Sequence, residues 1–574
     1  MMKKQFLRRA LLTLVGGVIL STSAWADGTT TTIGAVQNGW NAANSYTSPY
    51  TIGKNQTLKL NFKVNETRGN YIADGWVTVL CKTNTISYNS DMYLFLRTDC
   101  YGVNSWDWNN KTTNNSGWFI CNQNNFYWPS DDTSTEVDEA LTNFQAYISG
   151  STVDLTIRRY GTEVFVITDV TTANSVKYRH YFVMKCGNED EDIYGFLAAD
   201  YANITINSSE ISSSEVPSQT GTLIGSLNHG VAGIKENPFM SFPLAANETI
   251  TLHFKNYTNR VFIWNNFVIE ITDNTHFVDL RGDGAGWQWA ADWGTYTTWW
   301  DSNNLTKTNY PATDYDYMDA MDGADVVATV SRENEKFTIT AKITPLSGNE
   351  FTEVYTFSDA NLTSQAVTVN LLCEGAHLDL LPVTATITEY NWATFASDYA
   401  LDFSKATEGL KAYMVTGHND NAIIKTPVAG TVPAGTGLLL YAETPGDYNI
   451  PIVETSTTST TGNHLVAGTG EAVAKETGKT KYALGVNSAN KAAFMIINDY
   501  APVMAKNKAY LQFDEVISAP FLSFEGDGET TGIANVNVNA NSNSNSSWYD
   551  LSGRRVANPT NGLYIVNGKK VIIK

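Results

Sequence analysis

Residues 150–172 read GSTVDLTIRRYGTEVFVITDVTT, and residues 323–345 read GADVVATVSRENEKFTITAKITP. The two stretches align without a gap. Each alternates apolar and polar residues, breaks at Tyr160-Gly161 or Glu333-Asn334, and then resumes. That pattern predicts a strand, a turn and a second strand. A hairpin written twice predicts a duplicated module. The parallel extends outward on both sides. IGAVQNGW (33–40) matches IGSLNHGV (224–231), and TLKLNF (57–62) matches TITLHF (249–254). WVTVLCKTN (76–84) matches FVIEITDN (267–274), with Ile271 set against Cys81, and DYANITI (200–206) matches AVTVNLL (366–372). Short strands between turn signals, with almost no helical period, predict an all-β chain. Two tandem jelly-roll-like sandwiches are expected over 29–207 and 221–381. SSEISSSEVPSQT (208–220) reads as the linker between them.

Between the matched strands lies a segment dense in tryptophan. Leu280–Asp301 reads LRGDGAGWQWAADWGTYTTWWD, and Leu96–Trp108 reads LRTDCYGVNSWDW. Both carry Leu-Arg-x-Asp, a glycine and Trp-x-Trp. Trp106 with Trp108, and Trp287 with Trp289, stand at i and i+2, so on a strand each pair shares a face. Two indoles ~7 Å apart can stack on successive sugar rings, and they can equally fill a core. Residues that the copies do not share are the better candidates for recognition, because loops on a common scaffold carry function. In the first copy these are Trp118, Tyr127 and Trp128, with Tyr101 and Phe126, set among asparagines. In the second they are Trp293, Trp299 and Trp300, with Tyr296, Asp292 and Asp301. Aromatic planes beside neutral amides suit a hydroxyl-rich, uncharged ligand. Arg97 with Asp99, and Arg281 with Asp283, read as ion pairs fixing the base of each loop.

Composition narrows the partners. The net charge is -20 over 574 residues, which disfavours nucleic acid and anionic membranes and leaves neutral polysaccharide unpenalised. Aromatic content is 12%, which is rich and is lodged either in β cores or on binding faces. The chain opens with Lys3, Lys4, Arg8 and Arg9, an apolar run over 10–20, and Ala24-Trp25-Ala26. That is the layout of a cleaved signal peptide over 1–26, and the run is too short to span a membrane. No later stretch reads as a transmembrane helix. The five cysteines have no metal or redox spacing; Cys100–Cys121 could staple the first tryptophan loop, and Cys81 reads as buried and inert.

Other chemistry has less material. Acidic runs at 188–192 (NEDED) and 314–325 (DYDYMDAMDGAD) read as solvated loops, with structural calcium as the alternative, and no other cofactor is expected. Glu136, Asp138 and Glu139 offer alternate carboxylates on one strand face, but the spacing is not that of laminarinase-type hydrolases. Arg179, His180 and Tyr181 are adjacent residue types that a lyase could use. No nucleophile-elbow, zinc-protease or phosphate-loop motif occurs. The expected function is non-catalytic binding of neutral polysaccharide. The alternatives are a polysaccharide-degrading hydrolase or lyase, and a surface adhesin or structural protein.

Two later segments resemble known families. ATFASDYALDF, VPAGTGLLLY and KAYLQF, within 382–525, resemble a β-rich accessory module of secreted proteins of gut and rumen Bacteroidales. Residues 526–546 are low in apolar residues and read as a flexible tether. YDLSGRRV, NGLYIVNG and KKVIIK, within 547–574, resemble the C-terminal sorting tail of type IX secretion cargo in that phylum. The resemblance implies that the export machinery engages the tail. It also implies release outside the cell or attachment at the outer-membrane surface.

Overall fold

The computed structural model describes residues 30–71, 73–86, 91–99, 102–104, 118–121, 125–127, 135–213, 221–226, 240–260, 262–284, 286–290, 296–300, 304–359, 362, 367–419, 421–456, 458–524, 534–535, 548–549, 555–556, 562–566 and 569–573. These form an all-β protein built from antiparallel sheets, with two short helices, α1 (Thr135–Tyr147) and α2 (Asp314–Met321), among the described residues. The chain divides into two compact units; the first holds residues 1–382 and 451–454.

Within that first unit the duplication is visible strand by strand. The larger sheet of the first copy runs Thr31–Ile33, Ala202–Ser213, Gln56–Thr67, Thr152–Tyr160, Glu163–Thr171, Lys177–Lys185, Trp118–Cys121, Asn125–Tyr127. That of the second runs Thr222–Ser226, Ala376–Leu380, Thr249–Thr258, Ala324–Glu333, Lys336–Thr344, Phe351–Ser358, Leu305–Thr308. The smaller sheets repeat as well: Tyr50–Ile52, Ile193–Asp200, Gly75–Cys81, Met92–Arg97, Gly102–Asn104 against Met240–Leu244, Val367–Cys373, Phe267–Thr272, His276–Arg281, Gly286–Ala290, Tyr296–Trp300. The hairpins close where the sequence breaks. Tyr160 pairs with Glu163 and Glu333 with Lys336, and the next residues, Gly161 (φ 55°) and Asn334 (φ 56°), take the left-handed backbone that Gly and Asn tolerate best. Arg159 and Arg332, both buried, each donate Nε to the carbonyl of that residue at 3.1 Å.

Each sandwich buries the alternate residues of both sheets. In the first, Leu58, Phe62, Trp76, Leu80, Leu94, Val153, Ile157 and Leu197 form one cluster, and Phe62 meets Trp76 edge-on at 5.7 Å. Helix α1 closes one end by inserting Phe144 between Tyr178 (4.8 Å) and His180 (5.2 Å). Glu136, Asp138 and Glu139 therefore lie on a helix and not on a strand face. Two further expectations are corrected. The strand that begins at Ala202 continues to Ser213, paired with Gln56, so 208–213 is sheet where a linker was expected; the rest, 214–220, lies outside the described residues. Register sets Thr272, not Ile271, at the place of Cys81: Val77 pairs with Ala198 and Val268 with Leu372 at matching strand positions. Cys81 is buried, as expected; Cys186 and Cys373 are buried too. Cys100 lies outside the described residues, as does the Cys121 side chain.

The acidic run at 314–325 is also not a solvated loop. Thr313 caps α2 by accepting from Asp316 N at 3.1 Å, and the helix carries Asp319 and Asp322 to the first copy. Arg158 holds Asp322 in a bidentate pair, and Arg179 bonds Asp169 at 2.6 Å and Asp319 at 2.8 Å while lying over the Tyr315 ring at 3.9 Å. Arg260 lies 3.6 Å from both Asp319 and Asp322. The NEDED turn is tied down as well, by Arg159 to the carbonyls of Asn188 (3.0 Å) and Glu189 (2.9 Å).

The second unit holds residues 383–450 and 455–574. Its main sheet has nine strands around a core of Tyr413, Val415, Leu439, Tyr482, Phe494 and Leu511. In the tail, Gly562–Val566 pairs antiparallel with Lys569–Ile573, Val566 opposite Lys569; the turn expected at 567–568 lies outside the described residues.

Candidate functional site

Register locates the tryptophan-bearing strands of the second copy. Phe267 meets Phe254 of the larger sheet at 5.4 Å, so Phe267, Ile269 and Ile271 face the interior and Val268, Glu270 and Thr272 occupy the outer face of the smaller sheet. Residues paired across an antiparallel sheet share a face. One transverse row on the outer face is therefore Ser241, Asn370, Glu270, Asp279, position 287 and position 299, each paired with the next. The adjacent row is Thr368, Thr272, Phe277, position 289 and position 296. Trp287 and Trp289 thus hold register positions in outer-face rows, and not in the rows of Val278 and Leu280. Trp300 pairs with Gly286 on the edge strand.

The row is polar and ordered. Ser241 Oγ donates to Asn370 Oδ1 at 2.7 Å, and Asn370 Nδ2 donates to Glu270 Oε1 at 2.6 Å. Glu270 and Asp279 are 2% and 0% exposed. Burying carboxylates on a sheet face costs several kcal/mol per ion before any partner is counted.

The base of the tryptophan segment is anchored from several elements. Arg281 pairs with Asp283 in a bidentate fork, at 3.1 and 2.7 Å, with both side chains buried. Arg97 and Asp99 make the same fork in the first copy. The expected structural role of Arg-x-Asp is thereby met. The Tyr317 hydroxyl of α2 donates to Gly282 O, and Lys307 Nζ donates to Asp283 O at 2.9 Å. Tyr310 stacks on Tyr317 at 5.1 Å. Next to them lies Glu353, fully buried; desolvation raises its carboxyl well above the usual range, with Lys307 opposing. The same desolvation raises the Tyr317 hydroxyl.

The first copy fills the corresponding row differently. Val79 pairs with Phe196 and Phe95, and Phe95 with Val103. Val77, Val79, Cys81, Phe95 and Phe196 form an apolar cluster packed against Trp40, whose ring meets Phe95 at 4.8 Å. The adjacent trio expected as lyase material is split by the pleat. His180 stacks on Trp76 at 5.9 Å in the core, where burial lowers it to about 3. Arg179 and Tyr181 face the second copy, Tyr181 against Phe262 at 5.7 Å.

Of the expected ligand residues, Trp106, Trp108, Trp128 and Trp293 lie outside the described residues. Trp118, Tyr127, Trp287, Trp289, Trp299 and Trp300 lie on described strands; Trp118 pairs with Tyr181 and Tyr127 with Phe119. Sequence reasoning missed Glu270, Asp279 and Asn370. Strand register, and not the alignment of the repeats, sets Val79 against Glu270. Among the described residues no group of three or more His, Cys, Asp or Glu side chains is placed to hold a metal ion, and no helix is long and apolar enough to cross a membrane.

Comparison with known proteins gives little. No family model matches the chain, and no curated protein matches it. The chain has local similarity to the Ca²⁺-bound exoplasmic/lumenal domain of VIP36, at 12% identity over 33% of this chain and 85% of that one, with a TM-score of 0.17. The Ca²⁺/Man2-bound form of that domain gives 13% identity over 33% and 83%, with a TM-score of 0.18. The binding domain of botulinum neurotoxin serotype D/C gives 7% identity over 69% and 83%, with a TM-score of 0.12.

Proposed function

We propose that the protein is exported and binds neutral polysaccharide through the tryptophan-bearing edge of its second sandwich, without cleaving it. One observation carries the reading. The register sets Trp287 across from Trp299 and next to Asp279, in a sheet row continued by Glu270 and Asn370. Indole-bearing positions on the edge strand and its neighbour supply area for stacking on sugar rings. The buried carboxylates and amide of the same row, Glu270, Asp279 and Asn370, order the sheet from which those positions project. The net charge of -20 favours an uncharged ligand over an acidic one. The anchored base holds the strand at fixed register, which lowers the ordering cost of binding. Isothermal titration of the chain with soluble glucomannan, xyloglucan, arabinoxylan and β-glucan tests the reading. Heat of binding with at least one of them is expected, and no heat with any of them sinks it.

Export itself is tested by deleting 547–574, which is expected to leave the protein inside the producing cell.

A further inference from the structure

The second unit carries an open pocket of its own. A pocket of about 330 Å³ opens at one end of its nine-stranded sheet, lined by Trp392, Tyr441 and Phe524 on one side and by Asn487, Asn490 and Lys491 on the other. Trp392 pairs with Tyr441 across neighbouring strands, and its ring meets the Tyr441 ring at 4.7 Å and the Phe524 ring at 4.5 Å, all tilted. These rings remain partly exposed, whereas Leu439, Tyr482 and Phe494 just below them are completely buried. The core is thus already closed beneath the rings, which form a rim above it.

The opposite wall is a rigid polar turn. Asn487 Oδ1 accepts from Ala489 N at 3.0 Å and from Lys491 N at 3.1 Å, while Asn487 N donates to Lys491 O at 2.8 Å. Asn490 sits at φ 57°, a backbone that asparagine tolerates. On the aromatic side, Asn391 at φ 65° donates to Ala442 O at 2.9 Å and Glu443 O at 2.8 Å, which fixes the start of the Trp392 strand. The lining includes one anion, Glu389, and one cation, Lys491, and behind the rim Lys425 lies over the Trp392 ring at 5.5 Å and Lys411 over the Tyr441 ring at 5.7 Å.

We infer that this pocket is a second, independent saccharide site, taking one or two neutral pyranose rings between the Trp392–Tyr441–Phe524 rim and the Asn487–Lys491 turn. Its volume lies at the small end of ligand pockets, roughly 300–1,000 Å³. Three aromatic faces give C–H stacking area, and the asparagines and Lys491 give directional groups for ring hydroxyls. A cage of aromatic rings could equally hold a quaternary ammonium ion; the neutral amides on the facing wall favour hydroxyls. The inference does not depend on the tryptophan edge of the first unit.

Fluorine NMR of the full chain labelled with 5-fluorotryptophan tests it. The Trp392 resonance is assigned with Trp392→Phe, so the readout is local and separate from binding at Trp287 or Trp299. Cellobiose, xylobiose, mannobiose, maltose and tetramethylammonium are titrated in turn. A saturable shift of the Trp392 signal with at least one disaccharide is expected. The shift is expected to be lost in Ala492→Phe, which fills the pocket without removing an aromatic ring, and its midpoint to rise at least tenfold in Lys491→Ala. No shift with any disaccharide, a shift with tetramethylammonium alone, or an undiminished shift in Ala492→Phe would overturn the assignment.

Discussion

The two sandwiches share a strand order and a hairpin register, yet they fill two equivalent positions with opposite chemistry. On the outer face of the smaller sheet, the first copy places Val79, Phe95 and Phe196 where the second places Glu270, Asp279 and Asn370. In the core, His180 pairs with Thr168 and Glu353 with Ala341 at matching hairpin positions. Phe144 of α1 touches the histidine, and Tyr317 of α2 lies in the field of the glutamate. The fold tolerates Val and Phe in the outer row, so it does not require the acids. A duplicated scaffold that retains costly buried carboxylates in one copy alone points to a role outside folding.

The comparison breaks most visibly if the first copy is given the second's chemistry. Val79→Glu places a lone carboxylate in an apolar cluster and is expected to destabilise the first unit by about 3–5 kcal/mol, read by urea unfolding. The reverse exchange, Glu270→Val with Asp279→Phe, is expected to cost no more than about 1–2 kcal/mol while abolishing polysaccharide binding in titration. Comparable losses for the two exchanges would mean that the acids serve the fold.

The core positions predict opposite pH slopes. His180 is held neutral, with its folded value lowered to about 3, so between pH about 3 and 6.5 the unfolded chain binds more protons and stability falls as the pH drops. Glu353 is held protonated, with its folded value raised, so above pH ~4.5 the unfolded chain loses its proton first and stability falls as the pH rises. His180→Phe is expected to flatten the acid limb, and Glu353→Gln to raise the midpoint at pH 7 relative to pH 5. Thermal melts across pH 4–8 check both.

The smallest effect concerns metal. Asp319 and Asp322 are engaged by Arg179, Arg158 and Arg260, and the NEDED turn by Arg159 and Lys54. Removing calcium with EGTA is therefore expected to shift the melting midpoint by less than about 2 °C, an effect below ~1 kcal/mol.

The duplication was legible in the sequence because a hairpin is local, and its period and turn residues lie within one short window. The outer row was not legible, because its members at 241, 270, 279 and 370 meet only once the sheet is assembled. The acidic helix α2 was misread for a similar reason. DYDYMDAM resembles a solvated run until Arg158 and Arg179 approach it from more than a hundred residues away. Helix α1 was missed because one inserted side chain, Phe144, fixes it more than any long apolar stripe does; truncating that side chain is worth about 3–5 kcal/mol.

The account stands on the second copy's edge strand and its neighbour gripping neutral glycan while the first copy's equivalent face does not. The direct measurement is native electrophoresis of the full chain in gels cast with neutral plant polysaccharides, comparing wild type, Trp287→Ala/Trp299→Ala, and Val103→Ala at the register counterpart of Trp287. Wild type and Val103→Ala are predicted to be retarded alike by at least one polysaccharide, and the double tryptophan variant to run free. Equal retardation of all three, or of none, would contradict it.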